Sequence, residues 1–188
     1  MQALPLDSLG ARRTGWIALL TVATIAGSLV FACATPFPAL AALAALHMSR
    51  RDAFALTAVI WGANQIIGYG LLHYPQTWDS VAWGIAIGAG AMIATALAAA
   101  AEKATRPYGW AAAMLGSFAA TFVGYEVALR AATVVLPSHP DAFGLAVTLY
   151  VLKINALAFA GLMALQFVGA RLGLATPRHA ASPAATAA

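Results

Sequence analysis

The stretch VAWGIAIGAGAMIATALAAAA, residues 81–101, runs for 21 residues without a charge. As a helix it would extend about 31 Å, the thickness of a bilayer's hydrocarbon core. Its small residues recur every fourth position, at Gly84 and Gly88 before Met92 and again at Ala86, Gly90 and Ala94. That spacing lets a neighbouring helix approach closely, inside the bundle or against another membrane subunit, with internal packing the simpler use. The stretch therefore reads as a transmembrane helix, and the rest of the chain repeats its character.

Of 188 residues, 62% are hydrophobic and 9% charged, against roughly 25% charged in soluble domains. A soluble domain of this size cannot hide so much apolar surface, so a lipid bilayer is the expected solvent. Ten Lys and Arg against six Asp and Glu leave a net charge of +4. These charges are scattered rather than gathered into a basic stripe, which excludes nucleic acid as a partner. No Walker A motif, GxSxG elbow or HExxH pair occurs, so the chain is not expected to be an enzyme or to hydrolyse ATP.

Five further apolar runs flank the first, giving spans at 16–34, 37–48, 53–72, 81–101, 110–136 and 143–168. The second is short, about 18 Å, and is expected to dip in from one surface or to lie tilted against the first. Pro36 and Pro38 break the chain between these two, because proline lacks an amide hydrogen and restricts its predecessor. Arg12, Arg13, Arg50, Arg51, Lys103, Arg106, Arg171 and Arg178 all fall on one side of a six-helix count. The opposite loops, 35–38, 73–80 and 137–141, hold no Lys or Arg. By the positive-inside rule both termini are cytoplasmic.

The expected fold is thus all-α, a polytopic six-helix transmembrane bundle. A cytoplasmic segment 1–13 precedes the membrane domain 14–172, and an Ala-, Ser- and Pro-rich tail 173–188 reads as disordered. Arg12-Arg13, the apolar run and Ala32-Cys33-Ala34 also mimic a signal peptide. The first helix is read as retained, since the alternation of charge works best with it in place.

Unusual residues gather on the non-cytoplasmic side. Within the third span, Trp61, Asn64, Gln65, Gly68 and Tyr69 share one helical face leading to the loop His73-Tyr74-Pro-Gln-Thr-Trp78-Asp79. An aromatic and amide stripe of this kind can stack on a flat ligand and hydrogen-bond its edges. Trp78, Trp83 and Tyr74 also suit an interfacial aromatic belt, and Asn64 and Gln65 suit contacts between helices. Cys33, the sole cysteine, excludes an internal disulfide and any CxxC site. It is either a small core residue or a soft ligand to a transition metal already held by a macrocycle.

Glu126 and Arg130 on the fifth span and Lys153 on the sixth are charges inside presumed helices, where unpaired charges are costly. Glu126 and Lys153 reach similar depths on adjacent helices and are expected to pair. His47, His73, His139 and His179 show no ligand spacing and read as surface histidines, with His73 and His139 able to rim a pocket.

Six short helices, cytoplasmic termini and a Pro-Phe-Pro break resemble the substrate-binding S-component of energy-coupling factor (ECF) vitamin transporters. Within that group the chain is most similar to the cobalamin-specific BtuM family. The resemblance rests on Cys33-Ala-Thr-Pro-Phe-Pro-Ala-Leu-Ala-Ala-Leu43, on Trp61-Gly-Ala-Asn-Gln-Ile-Ile-Gly-Tyr69 and on Tyr74-Pro-Gln-Thr-Trp-Asp-Ser-Val-Ala-Trp-Gly84. It implies a bacterial inner-membrane protein with no cofactor of its own that takes up cobalamin, with Cys33 as axial ligand to the cobalt. It further implies a substrate site of Cys33, Pro36, Phe37, Trp61, Asn64, Gln65, Tyr69, His73, Tyr74 and Trp78. The partners implied are cobalamin, the lipid bilayer and either an ECF coupling subunit with its ATPases or none. Competing functions are a transporter of another vitamin or of cobalt or nickel ions, and a non-enzymatic packing subunit.

Overall fold

The computed structural model describes residues 14–22 and 35–172, and among them there is no strand. Helix α1 covers 14–22, followed by α2 Phe37–His47, α3 Arg50–Gly70, α4 Trp78–Thr105, α5 Trp110–Ala132 and α6 Leu145–Arg171. Single 3₁₀ turns, Arg106–Tyr108 and Pro140–Phe143, precede α5 and α6. The described residues are all-α, as expected. Trp78–Tyr108, Trp110–Ala132 and Leu145–Arg171 are long and apolar enough to cross a membrane. Helix α3 has the length, 21 residues, but carries Arg50, Arg51, Asp52, Asn64 and Gln65.

The ends of the helices do not coincide with the apolar runs that mark them. Helix α3 starts at Arg50 rather than Ala53 because Ser49 caps it, its hydroxyl accepting from the Asp52 amide at 3.3 Å. Helix α4 extends beyond 81–101 at both ends, taking in Asp79 at its start and Lys103 at its end, where those charges suit the helix dipole.

Helix α2 occupies the centre. Every residue from Phe37 to Leu46 is buried, as a helix apolar on all sides must be. Helices α3, α4, α5 and α6 all pack against it. The short second span is thus an enclosed central helix of 11 residues. Pro36 caps it and Pro38 sits in its first turn, where no intrahelical amide bond is lost.

The neighbours satisfy that buried helix end. Asn155 of α6, 2% exposed, accepts from the Ala39 amide at 3.3 Å through Oδ1. Its Nδ2 donates to the Val151 carbonyl at 3.0 Å, so the amide is locked in place. Thr121 of α5 donates to the Pro38 carbonyl at 3.1 Å. Replacing Asn155 by leucine strands the Ala39 amide in an apolar interior. The expected loss is about 1–3 kcal/mol, read as a lower midpoint in SDS-induced unfolding from mixed micelles.

Helices α3 and α4 meet along an antiparallel seam. Thr57 and Thr95 share a hydrogen bond at 2.9 Å, and the Trp61 indole donates to the Gly84 carbonyl at 2.8 Å. Further along, the Tyr69 and Ser80 hydroxyls are 3.1 Å apart. Glycines on α4 make the seam possible: a Cβ at Gly88 would lie 2.6 Å from the Trp61 ring, and one at Gly84 2.5 Å from Gln65 Oε1. At the opposite end of the bundle, Trp16 of α1 donates to Gln166 of α6 at 3.1 Å.

The expected Glu126–Lys153 pair does not form. Glu126 Oε2 lies 3.5 Å from Arg130 one turn along α5, and Arg130 donates to the Thr148 hydroxyl of α6 at 2.7 Å. Lys153 is exposed, while its neighbours Ile154 and Asn155 face the core. Equal depth did not make the two side chains face each other, because rotation about the helix axis sets direction.

Candidate functional site

Where α2 begins, the surrounding helices line a partly open cavity of about 250 Å³. Its walls come from Thr35 and Phe37, Asn64 of α3, Ile87 of α4, Tyr125, Glu126 and Leu129 of α5, and Val147, Thr148, Val151 and Asn155 of α6. Ala142 and Phe143 complete it from the 3₁₀ turn before α6.

Each polar wall group has a definite state. Asn64 donates to the Thr35 hydroxyl at 2.6 Å, tying α3 to the segment that leads into α2. The Asn155 amide is engaged on both sides, as described. The Thr148 hydroxyl receives Arg130. Tyr125 is 7% exposed; its ring lies 6.2 Å from that of Phe37 and inclined by 42°. A Cβ at Gly90 would stand 3.4 Å from the Tyr125 ring, so α4 backs that ring closely. Glu126 is 9% exposed and faces the Arg130 guanidinium across 3.5 Å.

The segment between α5 and α6 closes the cavity on one side. Phe143 stacks on Trp83 of α4 with centroids 6.4 Å apart, and the Arg130 guanidinium sits 5.6 Å above the Phe143 ring. Trp83 also donates from its indole to the Pro137 carbonyl at 2.8 Å. One tryptophan thus holds this connection against α4 at two points.

The residues expected at the substrate site divide into groups. Cys33 lies outside the described residues. Phe37 and Asn64 line the cavity, and Pro36 caps α2 beside them. Trp61, Gln65 and Tyr69 turn to the α3–α4 seam instead. Tyr74 lies over Gly68 and meets the Tyr69 ring edge-on at 6.0 Å. His73 is exposed and takes a positive φ of 54° in the turn after α3. Trp78, 69% exposed, opens α4 at the same end of the bundle.

The α5 and α6 wall was not expected. Tyr125, Thr148 and Asn155 are absent from the sequence-based site, and Glu126 entered it only as half of an ion pair. The usable signal was polarity within apolar helices, since an amide such as Asn155 buried in hydrocarbon needs partners. His139 accepts from the Asp141 amide at 3.3 Å and is exposed, as expected of a surface histidine. Among the described residues no three His, Cys, Asp or Glu side chains group as a metal site. Comparison with protein-family models, curated proteins and solved structures finds no match for this chain.

Proposed function

We propose that this chain is a non-enzymatic, multi-pass inner-membrane uptake protein of the S-component type. In this reading both termini are cytoplasmic, and the cavity opens to the other side. It binds cobalamin there, with Cys33 as axial ligand to the cobalt, and carries it inward, either alone or docked on an ECF coupling subunit with its ATPases. The observation that supports the reading is the cavity itself, lined by aromatic rings and amides. It includes Thr35, two residues after Cys33 in sequence.

A corrin is flat, apolar on its faces and edged with amides, which suits walls of Phe37, Tyr125 and Asn64. A volume of about 250 Å³ lies below the roughly 300–1,000 Å³ of pockets for drug-sized ligands. It would receive one edge of a corrin, so loading the whole ring requires the connection between α5 and α6 to come off Trp83. The same volume favours, as a second reading, a vitamin smaller than cobalamin.

Detergent-purified protein, incubated with cobalamin and desalted, tests the proposal by its visible absorption. Wild type is expected to keep the pigment with a shifted spectrum, and Cys33→Ala to lose the shift. A colourless wild type removes cobalamin and leaves the smaller ligand. Retained pigment with an unchanged Cys33→Ala spectrum removes the axial role of Cys33.

A further inference from the structure

Glu126 is the unusual group of the cavity. It is nine-tenths buried, lines the cavity wall, and accepts no hydrogen bond among the described residues. A carboxylate offers about four lone-pair positions and is costly to bury without donors. Its ion pair does not fill them: the 3.5 Å separation from Arg130 exceeds the roughly 2.7–2.9 Å of a charge-assisted hydrogen bond. The Arg130 guanidinium instead donates to Thr148. Tyr125, next in sequence and on the same wall, is 7% exposed, and its hydroxyl makes no hydrogen bond among the described residues. The other polar wall groups, Asn64, Thr148 and Asn155, are already engaged.

We propose that Glu126 is the polar anchor of the cavity and that it accepts a hydrogen bond from a nitrogen-bound hydrogen of the ligand, preferentially a cationic ammonium or amidinium. The Tyr125 hydroxyl supplies a second contact, and the rings of Phe37 and Phe143 flank the apolar part. The ligand class is therefore a compact molecule with a ring at one end and an N–H donor at the other. The inference rests on the cavity being the ligand site and not on the ligand being cobalamin.

Benzylammonium, benzyl alcohol and benzoate are suitable probes, sharing a ring and differing in the group offered to Glu126. Thermal unfolding of the full chain in detergent, followed at neutral pH against probe concentration, reads their binding. Benzylammonium is expected to raise the midpoint in a saturable way, benzyl alcohol less and benzoate not at all. Glu126→Gln keeps the shape and removes the charge. It is expected to weaken benzylammonium roughly tenfold or more, while Lys153→Gln on the exposed face of α6 leaves it unchanged. Equal shifts from all three probes on wild type overturn the proposal, as does a Glu126→Gln protein that binds benzylammonium normally. The series on wild type decides even if the variant fails to fold. Failure of cobalamin to bind, with benzylammonium still dependent on Glu126, removes the cobalamin reading alone.

Discussion

Phe37→Ala is expected to destabilise the protein by about 3 kcal/mol, at the low end of the range for Phe→Ala in soluble cores. Phe37 is 1% exposed and belongs to both the central packing and the cavity wall. In a bilayer the unfolded side chain rests in lipid as apolar as the core, so the transfer contribution shrinks. What remains is lost contact with the surrounding atoms, including the Tyr125 ring. The variant should also enlarge the cavity. SDS-induced unfolding in mixed micelles measures the first effect. The second predicts that a bulkier aromatic ammonium, excluded from wild type, raises the midpoint of the variant.

Gly88→Leu is expected to cost a similar amount, about 3 kcal/mol, near the upper end of overpacking penalties. Even a first carbon at Gly88 would stand 2.6 Å from the Trp61 indole, and an indole cannot flex out of the way. The ring must move, and the hydrogen bond from its nitrogen to the Gly84 carbonyl breaks with it. Gly84→Ala makes the contrast. There the obstructing atom is the end of the Gln65 side chain, which can rotate, so the loss should be the smaller of the two. Trp61→Ala added to Gly88→Leu should recover part of the stability, a coupling that a double-mutant cycle of unfolding midpoints reads directly.

Hydropathy located each described helix because apolar runs between charges and prolines mark them, and three of those runs meet the length of about 20 apolar residues that a bilayer requires. It did not locate their ends, since Ser49, Asp52, Asp79 and Lys103 are polar yet belong to or cap helices. Ends are set by hydrogen bonding and charge at the termini, which apolar runs do not record. The centrality of α2 had a readable cause, an all-apolar Phe37-Pro-Ala-Leu-Ala-Ala-Leu sequence.

The candidate site was half readable. Asn64 and Phe37 stood out by chemistry and do line the cavity. Trp61, Gln65 and Tyr69 stood out on nearly the same face of α3, yet they serve its seam with α4. The boundary between these two uses falls within one helical turn, finer than periodicity resolves. Glu126 was misassigned for a related reason: depth along α5 can be counted from the sequence, whereas the direction of a side chain on a helix apolar nearly all round cannot. Rotation is fixed by shape, here by Gly90 and Gly124 of α4 and α5 receiving Tyr125 and Leu97.

The 11 residues of α2 span about 17 Å, while the 28 of α4 span about 42 Å. A short post inside a taller palisade leaves a well above its end, and the floor of that well carries Phe37. Its depth is therefore a property of one helix, separable from the shell that faces lipid. Adding a turn to the start of α2 would raise the floor by about 5.4 Å, and removing one would lower it as much. A protein built this way can change the size of its cavity without rebuilding the longer helices around it.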